Sequence, residues 1–189
     1  MAEDGPIEVI LVDDHTVLRE CLRSLLDQQP EIVVVEEAGE APDAVKLAVE
    51  IEPDVIIMDI MMGGTDGIDA TERIVNRQPS TKVIGLSGYV TRAFVTRMLR
   101  AGASGYVSKR RGHEEVVRAI RSVMDGYTYL CPEACSVLAR DYERKDAQSP
   151  ETLTDREREI VRLLADGKSS KHIASALKLH TKTVDACRR

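Results

Sequence analysis

No apolar run in the chain is long enough to cross a bilayer, and its acidic start, Met1-Ala2-Glu3-Asp4, has neither the basic nor the hydrophobic part of a signal peptide. The expectation is a cytoplasmic protein with no membrane partner. Low-complexity tracts are missing too, which excludes a fibrous or disordered chain. The four cysteines, Cys21, Cys131, Cys135 and Cys187, lack the paired CxxC spacing of a structural metal site. In a reducing compartment they read as mostly buried, reduced thiols.

What is present is an ordinary globular composition, 43% hydrophobic and 31% charged, over 189 residues. That length suits one domain plus a smaller one. The net charge of −6 is unevenly spread: residues 150–189 carry nine Lys/Arg against six Asp/Glu, a net of +3, leaving the rest at −9. A basic tail on an acidic body hints at nucleic-acid contact.

Residues 7–109 alternate strand-like runs with helical stripes, the βαβ signature of a parallel sheet. Five strands are expected: Ile7 to Val12, Ile32 to Glu36, Val55 to Met58, Lys82 to Leu86 and Ser104 to Val107. The run Val55-Ile56-Ile57-Met58 is apolar without alternation, as a strand covered on both faces should be. Val17, Leu18, Cys21, Leu22, Leu25 and Leu26, and later Val116, Val117, Ile120, Val123 and Met124, recur at helical spacing and read as core. After Gly126 a short extended piece, Tyr127 to Cys131, precedes a helix opened by Pro132 and running to about Tyr142. Asp141 to Thr152 is polar without an apolar stripe and reads as a linker. Thr154-Asp155-Arg156-Glu157 is a capping box; two short helices follow the one it opens, in helix-turn-helix style. The expected domains are therefore 1–127, a connection over 128–152, and a helical domain over 153–189.

Three strands run into charges: the first into Asp13-Asp14, the third into Asp59 and the fifth into Lys109. Parallel strands bring such ends to one sheet edge, where ligands bind in open α/β folds. Crowded carboxylates repel one another, and a hard cation relieves that repulsion. Few oxygen ligands beside a phosphate suit Mg²⁺ better than Ca²⁺.

With Ser87 after the fourth strand and Tyr106 on the fifth, this pattern resembles the receiver domains of two-component response regulators, of the NarL/FixJ type. Leu153-Thr154-Asp155-Arg156-Glu157-Arg158-Glu159-Ile160 and Thr183-Val184 resemble LuxR-type DNA-binding domains. The resemblance implies a doubly wound five-stranded sheet in the order 2-1-3-4-5, followed by a small helix-turn-helix domain. It implies phosphorylation of Asp59 by a sensor histidine kinase, Mg²⁺ held by Asp13, Asp14, Asp59 and the Met61 carbonyl, and a phosphate contact from Lys109. Ser87 would swing to the phosphoryl group and Tyr106 would move inward. DNA contacts carry over to Lys182, Asp185, Ala186, Arg188 and Arg189, with a homodimer when active. Chemistry would be limited to transfer onto Asp59 and its slow reversal by water.

The sequence departs from that family's pattern at Gly63, where proline is usual, and at Arg110-Arg111 after the lysine. Gly63 predicts a more mobile loop. Asp185 replaces a basic residue, and the chain stops at Arg189 within the expected recognition helix, which reads as a truncated domain. Two alternatives stand beside the regulator. One is a Mg²⁺-dependent phosphohydrolase of the haloacid dehalogenase type, for which Asp13-Asp14-His15 has adjacent acids where Asp-x-Asp is usual. The other is a regulator that works without phosphorylation.

Overall fold

The acidic strand ends do meet, because five runs of the sequence pair in parallel. In the computed structural model, which describes residues 5–63 and 65–147 without the side chains of 65 and 140–147, these are β1 (Ile7–Val12), β2 (Ile32–Ala38), β3 (Val55–Asp59), β6 (Lys82–Ser87) and β7 (Gly105–Ser108). Between β3 and β6 lie two short strands, β4 (Met61–Met62) and β5 (Thr65–Asp66). A last strand, β8 (Tyr129–Leu130), joins the edge, giving the order β2-β1-β3-β6-β7-β8. The chain passes from β1 to β2 on one side and then to β3 on the other. The crevice at the carboxyl ends of β1 and β3 is therefore the topological switch point, the ligand-binding position of such sheets.

Alternation along each strand divides the core in two. Val9, Leu11, Val55, Ile57, Leu86 and Val107 face α1 (Thr16–Leu26) and α5 (His113–Met124), whose Leu22, Leu26, Val116 and Ile120 complete that layer. Ile10, Val12, Ile56, Met58 and Val83 face the other way, toward α2 (Ala41–Ile51), α3 (Gly67–Arg77) and α4 (Arg92–Arg100). Every residue of β3 is buried, so its unbroken apolar run reflects helices on both faces. Gly67 opens α3 so close to β3 that a Cβ there would stand 2.0 Å from the Asp59 carbonyl oxygen; only glycine fits.

Several expectations change. The sheet has a sixth strand, because Tyr129 and Leu130 pair with Gly105 and Tyr106. The loop after Asp59 is a hairpin: Met61 pairs with Asp66 and Met62 with Thr65, so Gly63 sits in a turn between strands. Val17 is not core but 80% exposed, because it lies past the edge of the apolar face of α1, and Met124, the last residue of α5, is also exposed. Of the thiols, Cys131 is buried, whereas Cys21 and Cys135 are exposed. The helix opened by Pro132 is α6 (Pro132–Ala147), which runs through the start of the expected linker. Residues 141–147 contain no proline or glycine and are mostly good helix formers, so polarity alone does not end the helix. The first of two compact units ends at Arg140, so β8 and the start of α6, expected in the connection, belong to it. Among the described residues no helix is long and apolar enough to cross a membrane. The helix-turn-helix expectations, with Lys182, Asp185, Ala186, Arg188, Arg189 and Cys187, lie outside the described residues.

Candidate functional site

Asp13 leaves β1 with its side chain turned inward and only 3% exposed. Its Oδ1 accepts from the His15 amide at 2.9 Å, a turn that starts α1. Its Oδ2 lies 2.6 Å from Lys109 Nζ, an ion pair without hydrogen-bond alignment, which leaves that buried oxygen with no aligned donor. Asp14, exposed at the rim, takes the Gly63 amide on Oδ2 at 2.8 Å and has His15 Nδ1 2.7 Å from Oδ1. The Gly63 hydrogen bond is the main reason its carboxyl lies below the usual range, with burial opposing.

Asp59 ends β3 with its side chain equally buried; Oδ1 accepts from the Met61 amide at 3.1 Å and Oδ2 from Lys109 Nζ at 2.8 Å. Burial raises its carboxyl, while Lys109 and the Met61 amide pull the other way. Lys109, reaching in from the end of β7, stands between Asp13 and Asp59. Burial disfavours its charge, but the contacts to Asp13 and Asp59 prevail and raise it. One ammonium thus offsets two buried carboxylates, and the cluster still has surplus negative charge.

The Asp13, Asp14, His15 and Asp59 ligand atoms all lie within 4.8 Å of one another. With three carboxylates to one ammonium and hard oxygen donors, this set fits a small divalent cation. Met61 brings its amide to Asp59, and its own side chain points to solvent.

Ser87, at the end of β6, is buried, and its hydroxyl donates to the Tyr89 carbonyl at 2.9 Å while accepting from the Tyr89 amide at 3.1 Å. Tyr106 is already fully inward, and its hydroxyl donates to the same Tyr89 carbonyl at 2.8 Å. Burial raises its phenol. The Arg111 guanidinium pairs with Glu133 on α6, 2.9 Å from Nε to Oε1. Sequence reasoning missed the Tyr89 carbonyl, which has no side-chain signature, and the donor role of Gly63, whose departure from proline was its only trace. It also missed Arg19, which donates to the Asp13 carbonyl at 2.6 Å.

A doubly wound sheet that gathers two buried carboxylates, a third acid and a lysine at its carboxyl edge has the layout expected of a receiver domain. Comparisons with known proteins agree. The response regulator receiver domain matches residues 9–121, and the luxR family of bacterial regulatory proteins matches residues 151–189. The chain is 39% identical over 180 residues to the transcriptional regulatory protein LiaR of Bacillus subtilis, covering 94% of this chain and 85% of LiaR. It is 36% identical over 184 residues to the response regulator GacA of Pseudomonas aeruginosa, covering 96% and 86%. A LuxR-family two-component response regulator from Aurantimonas superposes with a TM-score of 0.70 at 33% identity, over 73% of this chain and 99% of that one. The chain belongs to the response regulators that join a receiver domain to a LuxR-type DNA-binding domain. It is a phosphorylation-dependent transcriptional regulator from a family of regulators, not enzymes, and the phosphohydrolase alternative is not favoured.

Proposed function

We propose that Asp59 takes a phosphoryl group from a phosphohistidine on a sensor histidine kinase. The carboxylate oxygen forms the new O–P bond as the P–N bond breaks, and the imidazole nitrogen leaves with the electron pair. The observation that carries this reading is Lys109 Nζ, 2.8 Å from Asp59 Oδ2 and 2.6 Å from Asp13 Oδ2, already placed to steady a phosphoryl oxygen. Asp13, Asp14, Asp59 and the Met61 carbonyl hold Mg²⁺. When bound, that ion supplies positive charge against the transferring oxygens. Ser87 hydrogen-bonds a second phosphoryl oxygen, and in doing so gives up the Tyr89 carbonyl it holds at 2.9 Å. Tyr106 keeps that carbonyl, so the β6–α4 loop and Tyr106 report the change together. Slow attack by water on the acyl phosphate resets the switch.

The output is DNA binding by residues 153–189 through Lys182, Asp185, Ala186, Arg188 and Arg189, joined to the domain over 1–127 by the connection 128–152, as a homodimer when phosphorylated. Kinase and promoter partners place the protein in the cytoplasm. The test is incubation with Mg²⁺ and acetyl phosphate followed by intact mass measurement. One phosphoryl group should appear on the wild type and none on Asp59→Asn; equal labelling of both overturns the assignment.

A further inference from the structure

Arg110 and Arg111, the departure that follows Lys109, line a cleft of about 570 Å³ between the β6–α4 loop and the start of α6. Asp13, Asp14 and Asp59 are not among its walls. Its volume is that of a pocket for a small organic ligand.

The polar groups of this cleft are rich in donors and poor in acceptors. Arg111 holds Glu133, Nη2 2.8 Å from Oε1, and so neutralises the one carboxylate among the described lining residues. The Arg110 guanidinium has no acceptor among the described residues, which leaves one positive charge over. Ser108 adds a buried hydroxyl. Alternation along β7 places its side chain on the face of Tyr106, opposite Val107, and the residue is 3% exposed. Its oxygen accepts from the Arg110 amide at 3.3 Å, but among the described residues its hydrogen has no acceptor. A buried donor left open in this way calls for an acceptor from outside the chain. Thr91, whose Oγ1 accepts from the Phe94 amide at 3.3 Å, brings a second hydroxyl to the cleft.

Tyr89 forms another wall and is 62% exposed, although its carbonyl is held by Ser87 and Tyr106. A flat aromatic face beside an open guanidinium suits a ring that carries an anion, since bases stack on tyrosine and phosphate oxygens take paired N–H donors from arginine. We propose that the cleft binds a nucleotide, with its phosphate on Arg110, Ser108 and Thr91 and its base on Tyr89. This binding is independent of the role given to Asp59.

The test is calorimetry on the full chain with AMP, GMP, CMP and UMP at up to about 1 mM, beside the matching nucleoside and ribose 5-phosphate. The buffer is metal-free, so that the acids around Asp59 repel phosphate and do not compete. At least one nucleotide should bind, and its nucleoside and ribose 5-phosphate should each bind about tenfold more weakly. Arg110→Gln should weaken the nucleotide about tenfold by loss of its charged donors, and Tyr89→Leu about tenfold by loss of stacking. Binding of ribose 5-phosphate should fall with Arg110→Gln alone. Arg110 is exposed, so an unchanged urea midpoint will show that its variant is folded. Failure of all four nucleotides to bind, or an affinity that either substitution leaves unchanged, overturns the proposal. Equal binding of nucleotide and ribose 5-phosphate reduces the cleft to an anion site and overturns it too.

Discussion

Replacing Lys109 with methionine keeps most of the side chain's bulk and removes the one ammonium that lies between Asp13 and Asp59. Both carboxylates are 3% exposed and Lys109 16% exposed, so the acids have little water to turn to. Removing one partner of a fully buried ion pair costs about 3–5 kcal/mol. The cluster opens toward the rim at Asp14, and solvent there screens part of the charge, so we expect a loss of about 2 kcal/mol. Urea unfolding in metal-free buffer should register this as a midpoint lowered by about 1 M, given slopes of about 1–3 kcal/mol per molar. Tyrosine fluorescence is the suitable probe, because four of the five tyrosines, Tyr89, Tyr106, Tyr127 and Tyr129, lie in the first compact unit. The double variant Lys109→Met with Asp13→Asn should recover much of the loss, because one of the two facing charges is gone. A Lys109→Met midpoint equal to or above that of wild type would refute the reasoning. It would mean that the acids relax apart or are screened without help, and that the lysine's place is not set by their charge.

Glu37 on β2 accepts from Arg19 Nε at 2.7 Å and from Arg23 at 2.8 Å, and the Arg23 contact is the main reason its carboxyl is held below the ordinary range. Glu37→Gln should lose about 1 kcal/mol at neutral pH, leaving phosphorylation of Asp59 unaffected. A depressed carboxyl contributes its stability above the unfolded-state pKa and loses it as pH falls through the folded one. The gap between wild type and variant should therefore hold from neutrality down to the ordinary carboxylate range and close only below it, as read by urea titrations at several pH values. Tyr129 donates from β8 to Glu115 Oε1 at 3.0 Å, and Glu115 is 2% exposed with Arg118 as its other partner at 3.1 Å. Tyr129→Phe should cost about 1 kcal/mol in the same assay, against no measurable change for Tyr127→Phe, whose ring is exposed.

The parts of this fold legible in the sequence are those that a single segment specifies. Val55-Ile56-Ile57-Met58 announces a strand covered on both faces whatever its neighbours are, and the charge that ends it announces an edge. Asp13, Asp59 and Lys109 could thus be placed together before any coordinates, and they are. The hairpin after Asp59 and the strand at Tyr129 were not legible, because two-residue strands have no periodicity and exist only through their partners. Val17 misled because a stripe at helical spacing does not say where the buried arc of α1 stops. The same limit applies within the site. Sequence names the acids, but each carboxylate's behaviour depends on donors that sequence distance hides: the Gly63 amide reaches Asp14 across 49 positions and Lys109 reaches Asp59 across 50. A proline at position 63 would have no amide hydrogen to give Asp14. The departure from proline therefore supplies a contact, in which the Gly63 amide ties the hairpin after Asp59 to Asp14.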